Sequence, residues 1–382
     1  MTAEPACLLI ADISGYTGYL SGVELAHADD ILADLMDTIV SSLQPGFRLA
    51  KLEGDAAFTF ALTEKIDGSL LLDTIERCYF AFRRRRRDVG QATSCQCNAC
   101  VRIPDLNLKF VVHHGRILRQ RVAGHEELLG PDVIVAHRLL KNRVVEVTGV
   151  EAYALFTQSC VDVMDVDVSA LGMWAMSETY EHIGTISAWV HDLETRWHEE
   201  ESRSRVIVSE AEAIFRFEQL TPAPPQVLWE FVTAPGRRMG WQAGVTGVEL
   251  TAIGNRRGVG STNHCLHGKG ASIEQLLDWR PYDYVTIRNT VPTPLGELHF
   301  LQTTELEPTS GGTVLHLRMA PPEARRERIV ARLMTPVLER ALRASGVLLV
   351  AQLGAELERQ NSDIGGGPTL RSARPDGGGR SR

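Results

Sequence analysis

The chain has 382 residues, 44% of them hydrophobic and 23% charged, with a formal net charge of −8. This is the composition of a folded globular protein and excludes a collagenous, low-complexity or wholly disordered chain. The acidic balance gives no footing for nucleic acid along the chain, so no DNA partner is expected. No run of 18 apolar residues marks a membrane helix, and no charged-then-apolar leader opens the sequence, so a cytoplasmic location is expected. Seven cysteines, an odd number, favour free thiols or metal ligands over a disulfide framework.

In chain order, residues 7–13 read as a buried strand that carries Asp12 near its end. Ile31, Leu32, Leu35, Met36, Ile39, Val40 and Leu43 recur at three- and four-residue spacing, which predicts an amphipathic helix over 23–43. Residues 47–52 and 56–62 predict a hairpin whose Gly54-Asp55 turn carries a second carboxylate. A helix is predicted over 69–87, with Leu71, Ile75, Cys78, Tyr79 and Phe82 on its apolar face. Arg83–Arg87 then fall at its end, either solvated where cations favour the helix dipole or facing an anionic partner or membrane surface.

Residues 108–113 and 116–122 predict a strand pair, 131–141 a helix, and 144–148 and 152–157 two further strands. The resulting β-α-β-β-α-β-like order is compatible with a ferredoxin-like sheet packed on helices. Residues 161–210 read as a helical connecting arm, with a helix over 179–200.

From about residue 211 the pattern changes. A strand over 215–220, a proline-rich turn and a short helix from Gln226 precede strands over 245–252, 260–267, 272–279, 284–289, 297–307 and 312–319. A long amphipathic helix over about 325–358 follows, and after Gln360 the Gly, Pro, Ser and Arg content predicts disorder. The expected domains are 1–160, an arm over 161–210, 211–360 and a tail over 361–382.

Two segments carry the chemistry: Leu8-Leu-Ile-Ala-Asp12-Ile-Ser-Gly-Tyr-Thr17 and Ala50-Lys-Leu-Glu-Gly-Asp55-Ala-Ala-Phe58. Carboxylates on neighbouring strand ends can hold a hard divalent cation against a polyphosphate. The pair of segments resembles the class III adenylyl and guanylyl cyclases. The resemblance implies Asp12, Asp55 and the backbone carbonyl of Ile13 as ligands of Mg²⁺ (or Mn²⁺). It further implies Lys51 and Glu127 as base-recognition residues, with Lys51 pointing to ATP, and Arg138 as the catalytic arginine that stabilises the transition state. It also implies a homodimer.

The sequence departs from the family at Ile134, where an asparagine one helical turn before the arginine is usual. Isoleucine cannot hydrogen-bond, so two readings stay open: an adenylate cyclase-type phosphorus–oxygen lyase with a degenerate site, or a nucleotide sensor without turnover.

The second half resembles the START-like superfamily, which includes polyketide cyclase and dehydratase-type domains. The resemblance rests on element order and on Pro225-Gln-Val-Leu-Trp-Glu-Phe-Val232, and it implies a helix-grip fold with a cavity for an apolar small molecule. Trp229, Trp241, Trp279, Tyr282 and Tyr284 read as core or cavity lining, and no nucleophile–base constellation stands out. Cys95, Cys97 and Cys100 can bind Zn²⁺ with a fourth ligand from His113, His114 or His125, or be reduced surface thiols. The expected protein is thus α+β: a ferredoxin-like cyclase-type domain followed by a helix-grip START-like domain.

Overall fold

Two large sheets organise the chain, and one helix stands between them. The computed structural model describes residues 2–365 apart from 22, 24, 93–97, 123–124, 268–269 and 295.

The first half runs β1 (Glu4–Ser14), α1 (Tyr16–Leu20), α2 (Leu25–Leu43), β2 (Arg48–Glu53), β3 (Ala56–Leu62), α3 (Gly68–Ala92) and α4 (Asn98–Val101). It continues with β4 (Asn107–Val122), β5 (His125–Leu129), α5 (Pro131–Arg138), α6 (Val144–Thr148), β6 (Tyr153–Thr157) and α7 (Gln158–Val161). β7 (Trp174–Tyr180), β8 (Gly184–Asp192) and α8 (Leu193–Ser202) complete it. The strand order is β2-β3-β1-β4-β6-β8-β7, with β5 paired to β4.

Alternation along β1 sets the layers. Cys7, Leu9, Ala11 and Ile13 pack with Ile31, Leu35 and Ile39 of α2 and Ile75 and Phe82 of α3. Leu8 and Ile10 face the opposite way, against Phe58, Phe60 and Ala136 of α5. Each fully buried Leu, Ile or Phe contributes about 1.5–3 kcal/mol, so register is strongly specified on both faces.

Four expectations need correction here. Residues 108–113 and 116–122 are not a strand pair: they run on through Gly115 as the single strand β4, which pairs with β1 along residues 107–117. Residues 144–148 form a helical turn, α6, not a strand: Asn142 Oδ1 accepts the Val144 N–H at its start, and Gly149 ends it at φ 74° with its N–H on the Val145 carbonyl. Those local bonds outweigh the strand preference of the valines. The arm is not a single helix over 179–200. β7 and β8 form a hairpin turning at His182 and Gly184, both at positive φ, and β8 pairs with β6 to extend the first sheet. Only α8 is helical, capped by Asp192, whose side chain accepts the Thr195 N–H at 3.0 Å. Finally, Arg83–Arg87 lie inside α3, which continues to Ala92. Arg83 pairs with Glu194, Arg85 with Asp34, and Arg86 donates to the Leu106 carbonyl.

The second half runs β9 (Phe215–Thr221), α9 (Pro225–Thr233), α10 (Pro235–Trp241), β10 (Gly247–Thr251), β11 (Thr262–His267) and β12 (Gly270–Arg280). It ends with β13 (Tyr284–Thr293), β14 (Gly296–Thr309), β15 (Gly312–Met319) and α11 (Arg325–Gly365). Its antiparallel sheet has the order β10-β11-β12-β13-β14-β15-β9, and α11 lies across β9 and β14.

The two halves meet on α3. Its inner face belongs to the first core, while Leu70 packs against the second. Between them, Arg256 donates to both Glu76 oxygens at 2.9 and 2.7 Å, and Arg257 donates to both Asp67 oxygens at 3.0 and 2.9 Å. Trp279 Nε1 donates to Asp73 at 3.0 Å, and His191 and Arg196 also reach Glu76. Burial alone would raise the Glu76 carboxyl, but Arg256, Arg196 and His191 outweigh it and hold it well below the usual range. Asp73 has less compensation, and burial pushes it up to about 6. Among the described residues no helix is long and apolar enough to cross a membrane.

Candidate functional site

Asp12 lies on β1 directly opposite Ala56, so the β2–β3 turn brings Asp55 beside Ile13. The Ile13 N–H donates to the Asp55 carbonyl at 2.9 Å, which locks that turn to the strand end. Two glycines shape the approach. Gly54 takes φ 68° in the turn, and Gly15 takes φ 85° where an added Cβ would sit 2.6 Å from the Asp105 carbonyl oxygen.

The two carboxyls converge. Burial, then the charge of Asp12, pushes the Asp55 carboxyl above its ordinary value, with Lys109 opposing. Lys109 stands opposite Asp12 on β4, and its ammonium lies 3.0 Å from the Asp12 carboxylate and 3.3 Å from the Leu140 carbonyl. Like charges brought together at a partly buried strand end call for a cation.

Two carboxylates are fewer donors than a protein-only metal site uses; the described residues contain no group of three or more His, Cys, Asp or Glu placed to hold a metal. They do fit Mg²⁺ that takes its remaining ligands from water and phosphate. In this structure the Lys109 ammonium stands against Asp12, a contact that a lone lysine in an apolar strand does not signal in the sequence.

The other expected residues are not drawn into contact with this pair. Lys51 is exposed beside Glu53 at 3.9 Å, Glu127 stands half-buried on β5 opposite Gln120, and Arg138 is exposed at the end of α5. Ile134, one turn before Arg138, is 56% exposed and shares its outward face. His137, between them, turns inward and bonds Glu53 at 2.9 Å, tying α5 to β2.

Of the proposed zinc ligands, Cys95 and Cys97 lie outside the described residues, as do the side chains of Cys100 and His125. His113 is bonded to Thr157 and Asp132, and His114 to the Thr63 carbonyl.

The second sheet curves around a cavity of about 450 Å³, closed by Leu338, Leu342 and Leu349 of α11 and lined by apolar groups such as Trp241, Ile287 and Phe300. One wall is polar by register. Asn263 pairs with Glu274, and Glu274 with Asn289, so the three form a row across β11, β12 and β13. Arg238 of α10 donates to both Glu274 oxygens at 2.6 and 2.7 Å. Burial would raise Glu274, but Arg238 outweighs it and keeps the carboxyl below its usual value. Asn263 Nδ2 donates to Glu274 at 3.2 Å, whereas Asn263 Oδ1 and Asn289 Nδ2 are buried with no protein partner. His264 and His267 point to opposite faces of β11, as their spacing requires.

Comparison with known proteins gives two separate family matches. Residues 32–148 match a family described as protein of unknown function (DUF2652), and residues 212–345 match polyketide cyclase / dehydrase and lipid transport, a START-like family. Solved structures similar in fold include the guanylyl cyclase Cya2, at 12% identity, 50% of this chain, 92% of that one and TM-score 0.37. The adenylyl cyclase CyaB from P. aeruginosa follows at 13% identity, 50% and 95% coverage and TM-score 0.36. Protein MLL2253 from Mesorhizobium loti covers 35% of this chain and 95% of its own at 18% identity and TM-score 0.30. Residues 212–345 are thus similar to a START-like family. At 34% identity over 164 residues, 43% of this chain and 74% of the other, the chain belongs to the family of the uncharacterized protein Rv2561/Rv2562 of Mycobacterium tuberculosis.

Proposed function

We propose that this chain is a two-domain ligand-responsive protein. Its first domain binds a purine nucleotide, ATP, with Mg²⁺ at Asp12 and Asp55, and its second holds an apolar small molecule beneath α11. The observation that carries the nucleotide reading is the convergence of two carboxyls, Asp55 raised by burial and by Asp12, on a strand end with one lysine as counter-charge. Mg²⁺ there would neutralise phosphate charge.

The chain's own residues do the rest. Asp12 and Asp55 orient the cation, and Lys109 moves from Asp12 toward a phosphate oxygen. Lys51 and Glu127 are left to the base, and Arg138 to the transferring phosphate. With Ile134 in place of a hydrogen-bonding side chain, cyclisation is slow or absent, since one lost donor costs about 10²–10³-fold in rate. The exposed side chains of Lys51, Ile134 and Arg138 support a homodimer in which a partner completes the site. The shared helix α3 supports coupling of the two domains.

Calorimetry of the full chain with ATP and GTP, with and without Mg²⁺ or Mn²⁺, tests this, with the mixtures analysed for cyclic nucleotide. Cation-dependent ATP binding that disappears in Asp12→Asn and Asp55→Asn, with little product, is the expected result. Binding indifferent to both variants would overturn it.

A further inference from the structure

A second cavity, of about 830 Å³, lies between the two domains, walled by α3, α8, residues 203–205 and the β12–β13 turn. It is distinct from the carboxylate pair and from the cavity beneath α11. Eight arginines line it against four carboxylates, Asp73, Glu76, Glu200 and Asp283, in a chain whose net charge is −8.

Four of these arginines have carboxylate partners: Arg196 and Arg256 on Glu76, Arg257 on Asp67, and Arg280 on Asp278 and Glu200. The other four, Arg77, Arg84, Arg203 and Arg205, form no ion pair among the described residues. Asp283 faces Arg77, Arg205 and Arg280, but burial and Glu305 push its own carboxyl up, so it offsets at most one of them.

Two of the unpaired guanidinium groups are already positioned. Arg77 stacks over the Tyr282 ring at 4.5 Å and Arg84 over Trp197 at 5.6 Å. Stacking fixes the guanidinium plane and leaves its N–H edge for an acceptor. Tyr282 is itself held at φ 67°, a strained backbone state for a tyrosine, with its hydroxyl 2.6 Å from that of Thr74. Burial and then Arg280, Arg205 and Arg87 pull the Arg84 guanidinium below its ordinary pKa, with Asp283 opposing.

We propose that this junction binds a small phosphorylated polyanion, gripped by the N–H edges of Arg77 and Arg84 and by Arg203 and Arg205. Paired N–H donors match phosphate oxygens, and the walls come from both domains, so the bound anion holds the docked arrangement together. A lipid headgroup offers the same phosphate chemistry, but a recess walled by both domains favours the soluble form.

The full chain is titrated with tripolyphosphate in EDTA and about 150 mM salt, where only short-range charge contacts persist. The readouts are tryptophan fluorescence, Trp197 and Trp279 being at the site, and melting temperature. Saturable binding and a raised melting temperature are expected. Arg77→Gln and Arg84→Gln should each weaken binding about tenfold or more, and Arg205→Gln, which disturbs no stacking, should weaken it less. Asp12→Asn should leave binding unchanged, which separates this site from the nucleotide site. Equal affinity in the arginine variants, no saturable binding, or the same response to sulfate would each overturn the proposal. So would capture of the chain by phosphatidic acid vesicles with no response to tripolyphosphate.

Discussion

Lys109 neutralises Asp12 across one register pair, ammonium to carboxylate at 3.0 Å, at the strand end where Asp55 also arrives. Both side chains are largely buried, so Lys109→Gln leaves two carboxyls facing each other without a cation. The variant is expected to lose about 1–3 kcal/mol of stability without metal. Mn²⁺ or Mg²⁺ should restore the loss, because the competitor for the cation is gone. Denaturant unfolding with and without metal checks this; a loss that metal does not rescue speaks against a cation site.

Ile134→Asn tests the site's missing donor. Ile134 is 56% exposed, so the substitution should change stability by no more than about 0.5 kcal/mol. If the first domain retains the remaining machinery, cyclic nucleotide formed from ATP and Mn²⁺ should rise, by up to about 10²-fold. An unchanged rate with ATP still bound assigns the domain to sensing alone.

Asp73 makes the domain junction pH-dependent. Its carboxyl is raised from 3.8 to about 6, so between those values the folded chain holds a proton that the unfolded chain releases. The stability it contributes is fully present below the lower value and is lost as pH rises through about 6, on the order of 2–3 kcal/mol. Asp73→Asn keeps an acceptor for Trp279 and removes the titration. The variant's melting temperature should therefore change less than the wild type's between pH 5 and 7.

Asn289 lines the second-domain cavity at 6% exposure with its amide nitrogen unpaired. Asn289→Leu removes that burden, so the empty protein should gain stability, by about 1 kcal/mol. The amide is left for an oxygen on the ligand. The variant should therefore bind 1-naphthol more weakly than wild type does and naphthalene equally well, read by Trp241 fluorescence. Parallel changes for both probes would mean that Asn289 only shapes the cavity.

Much of the fold was legible in local pattern. The spacing of Ile31, Leu35 and Ile39 predicts α2, and the Gly54-Asp55 turn between apolar runs predicts the hairpin that delivers Asp55. Periodicity failed at α6, where the side chain of Asn142 and the left-handed Gly149 override three valines. It failed again at β7 and β8, whose strand identity comes from pairing with each other and, for β8, with β6. Arg83–Arg87 look like a charged helix end in sequence because the partners that hold them inside α3, Glu194 and Asp34, are remote.

The sequence alone determined the two carboxylates, their strand contexts, a side chain at Ile134 that cannot hydrogen-bond and the change of pattern near residue 211, all of which are properties of short segments. Only the tertiary structure decided what surrounds them. Lys109 meets Asp12 through cross-strand register, and Asn263, Glu274 and Asn289 become one row through the pairing of three strands. Glu76 meets Arg256 across 180 residues of chain, because both charges, once buried, need each other. Charges that find their partners through space leave no period in the sequence.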